Sequence, residues 1–178
     1  MDALAENLSL LVEDGADLSV RDRYGLPLYA AALRVDDERP FTMLVRHGLK
    51  AGAYANHGMP LLLWHVLTTK GGTSCVDSLV GLGFSVHAAN KDGYTARHAA
   101  ASFGEPRSIG RLLHRGLPIN QPTRKNRMTP LHALCASFAD PPLTALDALE
   151  LLLRKGADVH ARDALGRTPL HDLCMCHC

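Results

Sequence analysis

The sequence is poor in several features, and each shortage excludes a class of protein. Aromatic residues make up 5% of the 178 residues, too few for a sandwich or barrel built on aromatic-rich strands. The longest strongly apolar run, at 61–66, is broken by His65 and falls far short of a membrane span. Nineteen basic and eighteen acidic residues give a net charge of +1, so the charge total gives no reason to expect nucleic acid or a membrane surface as partner.

Cysteine is also scarce, and three of the five cysteines fall in the last five residues. That number and clustering do not fit a disulfide framework, so we expect a reducing compartment, the cytoplasm or the nucleus. The first six residues are acidic and lack the basic-then-apolar order of a secretory signal. Hydrophobic residues at 47% and charged residues at 21% indicate a folded, globular chain.

The chain does contain a repeat, marked by five glycines at spacings of 33, 35, 33 and 40 residues. The glycines are Gly15, Gly48, Gly83, Gly116 and Gly156. Apolar residues lie three, four and seven positions before each of them. These offsets place the side chains on one helical face, so each unit should hold an amphipathic helix that ends at a glycine C-terminal cap.

A second pattern lies between the units, where short polar connections lead into a helix start. Thr129-Pro130-Leu131-His132 recurs at 168–171, with a degraded copy at 95–98 and looser copies at 27–29 and 60–62. Threonine at an N-cap and proline in the first turn both favour helix initiation. The fourth unit exceeds the period by seven residues, mostly at 139–144, where paired prolines predict a longer exposed loop.

The segment 156–171, Gly-Ala-Asp-Val-His-Ala-Arg-Asp-Ala-Leu-Gly-Arg-Thr-Pro-Leu-His, closely resembles the ankyrin-repeat consensus. The resemblance covers nearly the whole chain as a single array from 1 to 178. It implies an all-α solenoid of stacked helix-turn-helix units, with projecting β-hairpin-like loops and a concave face for partners. The expected units are a half repeat at 1–15, full repeats at about 16–48, 49–83, 84–116 and 117–156, and a partial repeat at 157–178.

The resemblance implies a non-enzymatic protein–protein interaction module without a cofactor. The looser first repeats, the long fourth unit and the Thr-Pro-Leu-His-x-Leu-Cys wording are most similar to poxvirus host-range ankyrin proteins. In that family the array captures a host protein, and a C-terminal F-box-like segment hands it to a ubiquitin ligase. No such segment is visible here, so a ubiquitin-ligase component would require sequence beyond residue 178. A cellular or bacterial-effector ankyrin adaptor is the alternative.

Basic residues form the first candidate partner site. Arg124, Lys125 and Arg127 belong to the densest basic run, in a hairpin that is one residue longer than the others. A short charge run is usually a solvated tip. The functional alternative is an anchoring patch for an acidic partner surface, because hairpin tips edge the concave face.

Aromatic residues form the second candidate partner site. Trp64 is the only tryptophan and falls in the first helix of the second full repeat, where it either fills the core or is partly exposed. An exposed Trp64 beside Tyr24, Tyr29 and Tyr54 would form an interaction hot spot.

No pattern in the sequence indicates a metal or catalytic site. The tail 174–178 is rich in cysteine, but structural zinc sites pair two separated clusters and the second is missing. Cys174 matches Cys135 in the repeat alignment, and both are expected to act as small buried hydrophobes. No serine lies in a Gly-x-Ser-x-Gly turn, and Gly71-Gly72 is interpreted as the turn between two helices.

Four further positions are interpreted through the resemblance. His98, His132 and His171 occupy its Thr-Pro-Leu-His position, where the imidazole is expected to bond threonine or backbone groups and hold neighbouring units together. Asn120 occupies the hairpin position that an asparaginyl hydroxylase can modify in this family, which makes the chain a candidate substrate or competitor of such an enzyme.

The repeat also predicts which leucines are buried and how the array ends. We expect burial between successive units for Leu112, Leu113, Leu149, Leu152 and Leu153. We also expect the terminal helix to offer apolar side chains with nothing stacked beyond. That end suggests the N-terminal portion of a longer protein, or else a chain that covers its open end with a second copy or a partner.

Overall fold

The computed structural model describes residues 3–34, 36–48, 55, 58–138 and 144–175, with side chains from residue 6 onward. Ten helices and no strand lie among these residues. The helices are α1 (Ala3–Glu13), α2 (Leu28–Ala32), α3 (Glu38–Arg46), α4 (Leu61–Thr68), α5 (Val76–Gly81), α6 (Ala96–Ser102), α7 (Pro106–His114), α8 (Pro130–Ala136), α9 (Ala145–Arg154) and α10 (Pro169–Met175).

The helices pack in two rows. The first helices of successive units, α2, α4, α6, α8 and α10, contact one another in that order. In the second row α1 contacts α3 and α7 contacts α9, while α2 pairs with α3, α6 with α7 and α8 with α9 within their units. This is the all-α solenoid of stacked helix-turn-helix units that the sequence predicts.

The first helices start with the predicted capping chemistry, with one variation. Thr95 and Thr129 are N-caps in capping boxes, in which the third helical residue is histidine. In the two looser copies Pro27 and Pro60 take the N-cap position themselves and make no side-chain cap bond. Those two units therefore lack a hydrogen bond that typically contributes about 1 kcal/mol.

Histidines connect neighbouring units, as predicted. The Nδ1 atom of His98 lies 2.9 Å from the Thr95 hydroxyl, and its Nε2 lies 3.2 Å from the backbone oxygen of Met128 in the next unit. His132 repeats the arrangement, with Nε2 3.1 Å from the backbone oxygen of Arg167. The imidazole thus bonds its own helix cap and the following hairpin at once.

The predicted stacking leucines are buried to different degrees. Leu112 and Leu152 are fully buried, which confirms the register of the repeat at these positions. Leu113 and Leu149 are half-buried and pack against the core cluster.

The prediction that Leu153 is buried is wrong, because its side chain is 43% exposed. In α9 the buried face is formed by Ala145, Ala148 and Leu152, which are three and four residues apart. Leu153 lies about 100° around the helix from Leu152 and therefore points away from that face.

Cysteine burial differs between the two matched positions. Cys135 in α8 is buried, whereas Cys174 in α10 is exposed, so the expectation for Cys174 is wrong. In the same helix Leu170 and Met175 are 64% and 60% exposed, as expected for a terminal helix. The reason is that α10 packs on α8, while none of the described helices packs on the far face of α10.

Leu152 and Leu153 provide a matched pair for testing the packing. Leu152→Ala should lower the free energy of unfolding by about 2–5 kcal/mol, because it leaves a cavity beside α7. Leu153→Ala removes the same atoms from a partly exposed position and should change the free energy of unfolding by less than about 1 kcal/mol. Urea denaturation measures both, and equal losses would contradict the assignment of the buried face.

His98 predicts a dependence of stability on pH. Burial lowers the pKa of His98 to about 4, whereas the unfolded chain binds this proton near pH 6.5. Between these values the unfolded state holds more protons, so stability falls as the pH is lowered from 6.5 to 4, by on the order of 3 kcal/mol. His98→Gln should flatten this slope in urea denaturation, and His171→Gln, at the exposed matched position, should keep it.

Candidate partner-binding face

The turns before the first helices are built by short polar side chains. In three of them one side-chain oxygen of Asp22, Asn90 or Asp163 accepts two backbone N–H groups within the next four residues. The fourth turn uses Thr123, whose hydroxyl accepts the backbone N–H of Met128 at 3.0 Å. That turn is one residue longer, as the sequence predicts, and it carries the basic residues.

Neighbouring hairpins are bonded to one another through their backbones. The N–H of Arg124 donates to the oxygen of Asp92 at 2.7 Å, and the N–H of Ala164 donates to the oxygen of Asn126 at 2.8 Å. Gly93 makes the first contact feasible, because a Cβ atom there would lie 2.5 Å from the Arg124 nitrogen. Three successive hairpins therefore form one hydrogen-bonded edge.

The residues Arg124, Lys125 and Arg127, here called the basic run, are all exposed on this edge. Within the described ranges their side chains make no hydrogen bond or ion pair. Arg127 has a φ of +53°, in the left-handed region. The same position, three residues before the first helix, holds glycine with positive φ in the four other hairpins, Gly25, Gly58, Gly93 and Gly166.

An arginine in that conformation costs roughly 1–2 kcal/mol relative to glycine. Folding alone favours glycine at position 127, as the other hairpins show. The exposed cation at this tip therefore has no explanation in the packing of the array, and strained residues of this kind occur preferentially at functional sites.

Two adjoining cavities lie beside the basic run. One, of about 250 Å³, is lined by residues of the third and fourth hairpins, including Lys125, and the other, of about 270 Å³, reaches the first helices α6 and α8. Tyr94 and Met128 line both, so the two cavities lie side by side, and together they are here called the hairpin groove. The Tyr94 hydroxyl donates to the Ser102 oxygen at 3.3 Å, and burial raises the pKa of Tyr94.

Tyr94 and Met128 are not among the site residues that the sequence predicts. A comparison of matched positions could have identified them. The position two residues before the first helix holds Leu26, Met59 and Met128 in three units, and it holds an aromatic residue only at Tyr94. A half-buried tyrosine with its hydroxyl at a groove is suited to contact a partner.

The aromatic candidates do not form one exposed cluster. Tyr24 is 66% exposed, with the Arg23 guanidinium 4.7 Å above its ring. Trp64 is half-buried and its indole N–H donates to the backbone oxygen of Ala30 at 2.9 Å. Tyr29 is buried at 8% exposure, so its predicted place in an exposed hot spot is wrong.

Tyr29 is buried because it is the second residue of its helix. In α4 and α8 that position holds Leu62 and Leu131, which are also buried. The position therefore faces the core, and an aromatic side chain there packs inward. Tyr54 lies outside the described residues.

Asn120 is exposed and bridges two units. Its amide nitrogen donates to the backbone oxygen of Gly156 at 3.0 Å, and its amide oxygen accepts the backbone N–H of Asp158 at 2.8 Å. Both ends of the amide are thus engaged in holding the next hairpin. Its hydroxylation stays a prediction.

Three titratable groups with perturbed pKa values lie away from the described cavities. Burial lowers the pKa of Arg97 to about 10, raises the pKa of Cys75 to about 11, and lowers the pKa of His65. None of these residues lines the described cavities. No group of three or more potential metal ligands occurs in the described part of the chain, and 176–178 of the cysteine-rich tail lie outside it.

Arg97 is a buried cation with no counterion among the described residues. It is 1% exposed, none of its three guanidinium nitrogens has a hydrogen-bond partner in that part of the chain, and it remains charged at neutral pH. It occupies the second position of α6, where the neighbouring first helices place Leu62 and Leu131.

Comparisons with known proteins agree with this architecture. A family model described as ankyrin repeats, in three copies, matches residues 62–163. The chain is 27% identical over 177 residues to the human transient receptor potential cation channel subfamily A member 1, covering 94% of this chain and 15% of the relative. It is 30% identical over 162 residues to the nuclear factor NF-kappa-B p105 subunit of chicken, which is 89% of this chain and 16% of the relative.

A viral protein is also similar. A putative ankyrin repeat protein of fowlpox virus is 32% identical over 110 residues, which is 61% of this chain and 17% of the relative. The chain thus spans less than a fifth of the length of each of these three relatives. Within the described ranges, no helix has the length and apolar character that crossing a membrane requires.

Arg97 generates a stability prediction. Arg97→Leu restores the residue type of the neighbouring units and removes an unpaired buried charge, so it should raise the free energy of unfolding by about 1–4 kcal/mol. Arg46→Leu, at an exposed position of α3, is the control and should change it by about 0.5 kcal/mol or less. A lower stability of Arg97→Leu in urea denaturation would show that the guanidinium has a partner in solution.

Proposed function

The chain belongs to the ankyrin-repeat family, and we propose that it is an interaction module that binds an acidic surface of a partner protein through the basic run and the hairpin groove. The observation that carries the proposal is Arg127, an exposed cation in a left-handed position that glycine occupies in the other hairpins. Arg124 and Lys125 stand beside it without ionic partners among the described residues.

The proposed mechanism is rigid presentation. Backbone bonds from Arg124 to Asp92 and from Ala164 to Asn126 fix the basic run relative to the neighbouring hairpins before a partner arrives. Binding then orders few additional groups, which preserves more of the interaction free energy. The cations would accelerate and orient the encounter with an acidic surface, and the groove beside Tyr94 and Met128 would accept a side chain of the partner.

The relatives support two forms of this proposal. Capture of a host protein by a viral ankyrin protein is supported by the fowlpox relative, and recruitment of a ubiquitin-ligase component would then depend on sequence outside these 178 residues. An ankyrin adaptor in a cell is supported by the human and chicken relatives. Both forms use the same surface and differ in the partner.

The test is the triple variant Arg124→Ser, Lys125→Ser, Arg127→Gly. Partners are first identified by affinity capture with the wild-type chain at low salt. Each dissociation constant is then measured at salt concentrations from roughly 50 to 300 mM, a range over which salt increasingly screens exposed charges. The variant should fold normally, bind at least about tenfold more weakly at low salt, and lose most of the salt dependence.

The matched control removes three exposed cations elsewhere, by Arg34→Ser, Arg46→Ser and Lys155→Ser, and should bind as the wild type does. Equal losses in both variants would show a general charge effect and contradict the proposal. Wild-type binding by the triple variant, together with loss in Trp64→Ala, would instead place the interface on α4.

A further inference from the structure

A second polar cavity lies at the opposite end of the first helices from the hairpins. It measures about 400 Å³ and is here called the loop cavity. Three successive units contribute to it: Asp36 after α2, the connection 69–74 between α4 and α5, and the start of α7 from Glu105 to Arg111.

The connection 69–74 is fixed by its neighbours on both sides. The hydroxyl of Ser108 donates to the backbone oxygen of Gly71, and the backbone N–H of Ser74 donates to Asp36 at 2.8 Å. Gly72 packs so closely that a Cβ atom there would lie 2.5 Å from Asp36 Cγ. The wall of the cavity is therefore formed without a ligand.

Lys70 holds an unusual position in this wall. It lies directly after the C-cap residue of α4 with a φ of +52°, and the matched residue after α6 is Gly104 with a φ of +59°. Lysine is strained in this conformation and glycine is not. Lys70 and Arg127 are the two residues other than glycine with positive φ in the described ranges, and both are cations.

The cations of the loop cavity are available to a ligand. The side chains of Lys70 and Arg107 make no hydrogen bond or ion pair within the described ranges, and Arg111 donates to a neutral backbone oxygen, that of Thr73, at 2.9 Å. The carboxylates are already engaged: Asp36 accepts the Ser74 N–H, and Glu105 accepts the N–H of Arg107 as the N-cap of α7.

We propose that the loop cavity binds a phosphate group, either free or as a monoester on a small molecule or a side chain. Three cationic residues, Lys70, Arg107 and Arg111, are among the residues that line the space. A phosphate brings nearly two negative charges and three acceptor oxygens, which suits several separate donors. A carboxylate brings one charge and two acceptor oxygens, so it would engage fewer of these donors than a phosphate does.

The test is isothermal titration at constant ionic strength with inorganic phosphate, O-phosphoserine and a short phosphoserine peptide, with glutamate as the carboxylate control. The wild-type chain should bind at least one phosphate ligand with a millimolar or lower dissociation constant, about tenfold or more tightly than glutamate. Tighter binding of phosphoserine or its peptide identifies a monoester, and equal binding of inorganic phosphate identifies the free ion. Equal binding of glutamate, or no phosphate binding, overturns the proposal.

Lys70→Gly separates a binding role from a structural one. It removes the cation and also relieves the strain, so the melting temperature should rise by about 2–4 °C while phosphate affinity falls at least about tenfold. Arg107→Gln should weaken binding with little change in the melting temperature.

Arg46→Gln is the control. It removes an exposed cation of α3 that lines neither the loop cavity nor the hairpin groove, so it should leave phosphate binding unchanged. Wild-type phosphate affinity in Lys70→Gly, or the same loss of affinity in Arg46→Gln, would show that the loop cavity is not the site.

Discussion

No helix pair in this chain can bury its apolar face alone, and this constraint governs the rest of the structure. The first helices are five to eight residues long, too short to be stable in isolation. Each is stabilised by packing against the neighbouring units. Features that recur from unit to unit, such as the buried helix faces and the capping histidines of the last three first helices, are consequences of that stacking and carry no information about a partner.

The periodic part of the structure was accessible from sequence for the same reason. Stacking favours apolar residues at fixed offsets, a glycine after each second helix and a threonine or proline before each first helix, and all three leave a readable period. The all-α solenoid, the bonding of His98 and His132, and the burial of Leu112 and Leu152 follow directly from it.

The errors came from positions that the period fixes only to within one residue. Leu153 lies next to the buried face of α9, and an offset of one residue rotates a side chain by about 100°. Tyr29 was assigned to a surface, but the matched Leu62 and Leu131 show that its position faces the core. The hairpin groove was missed because Tyr94 and Met128 come together only when two hairpins pack side by side.

Departures from the repeat need a second criterion before they indicate function. Arg127 and Arg97 each differ from the residue type at the matched positions, and Lys70 takes a backbone conformation that favours glycine, so each is expected to lower local stability. Lys70 and Arg127 are both exposed. Lys70 lines the loop cavity, and Arg127 lies in sequence between Asn126 and Met128, which line the hairpin groove. Arg97 is enclosed by the core, so no partner can reach its guanidinium while the array stays folded. A destabilising cation therefore indicates a binding site here only where it is also accessible.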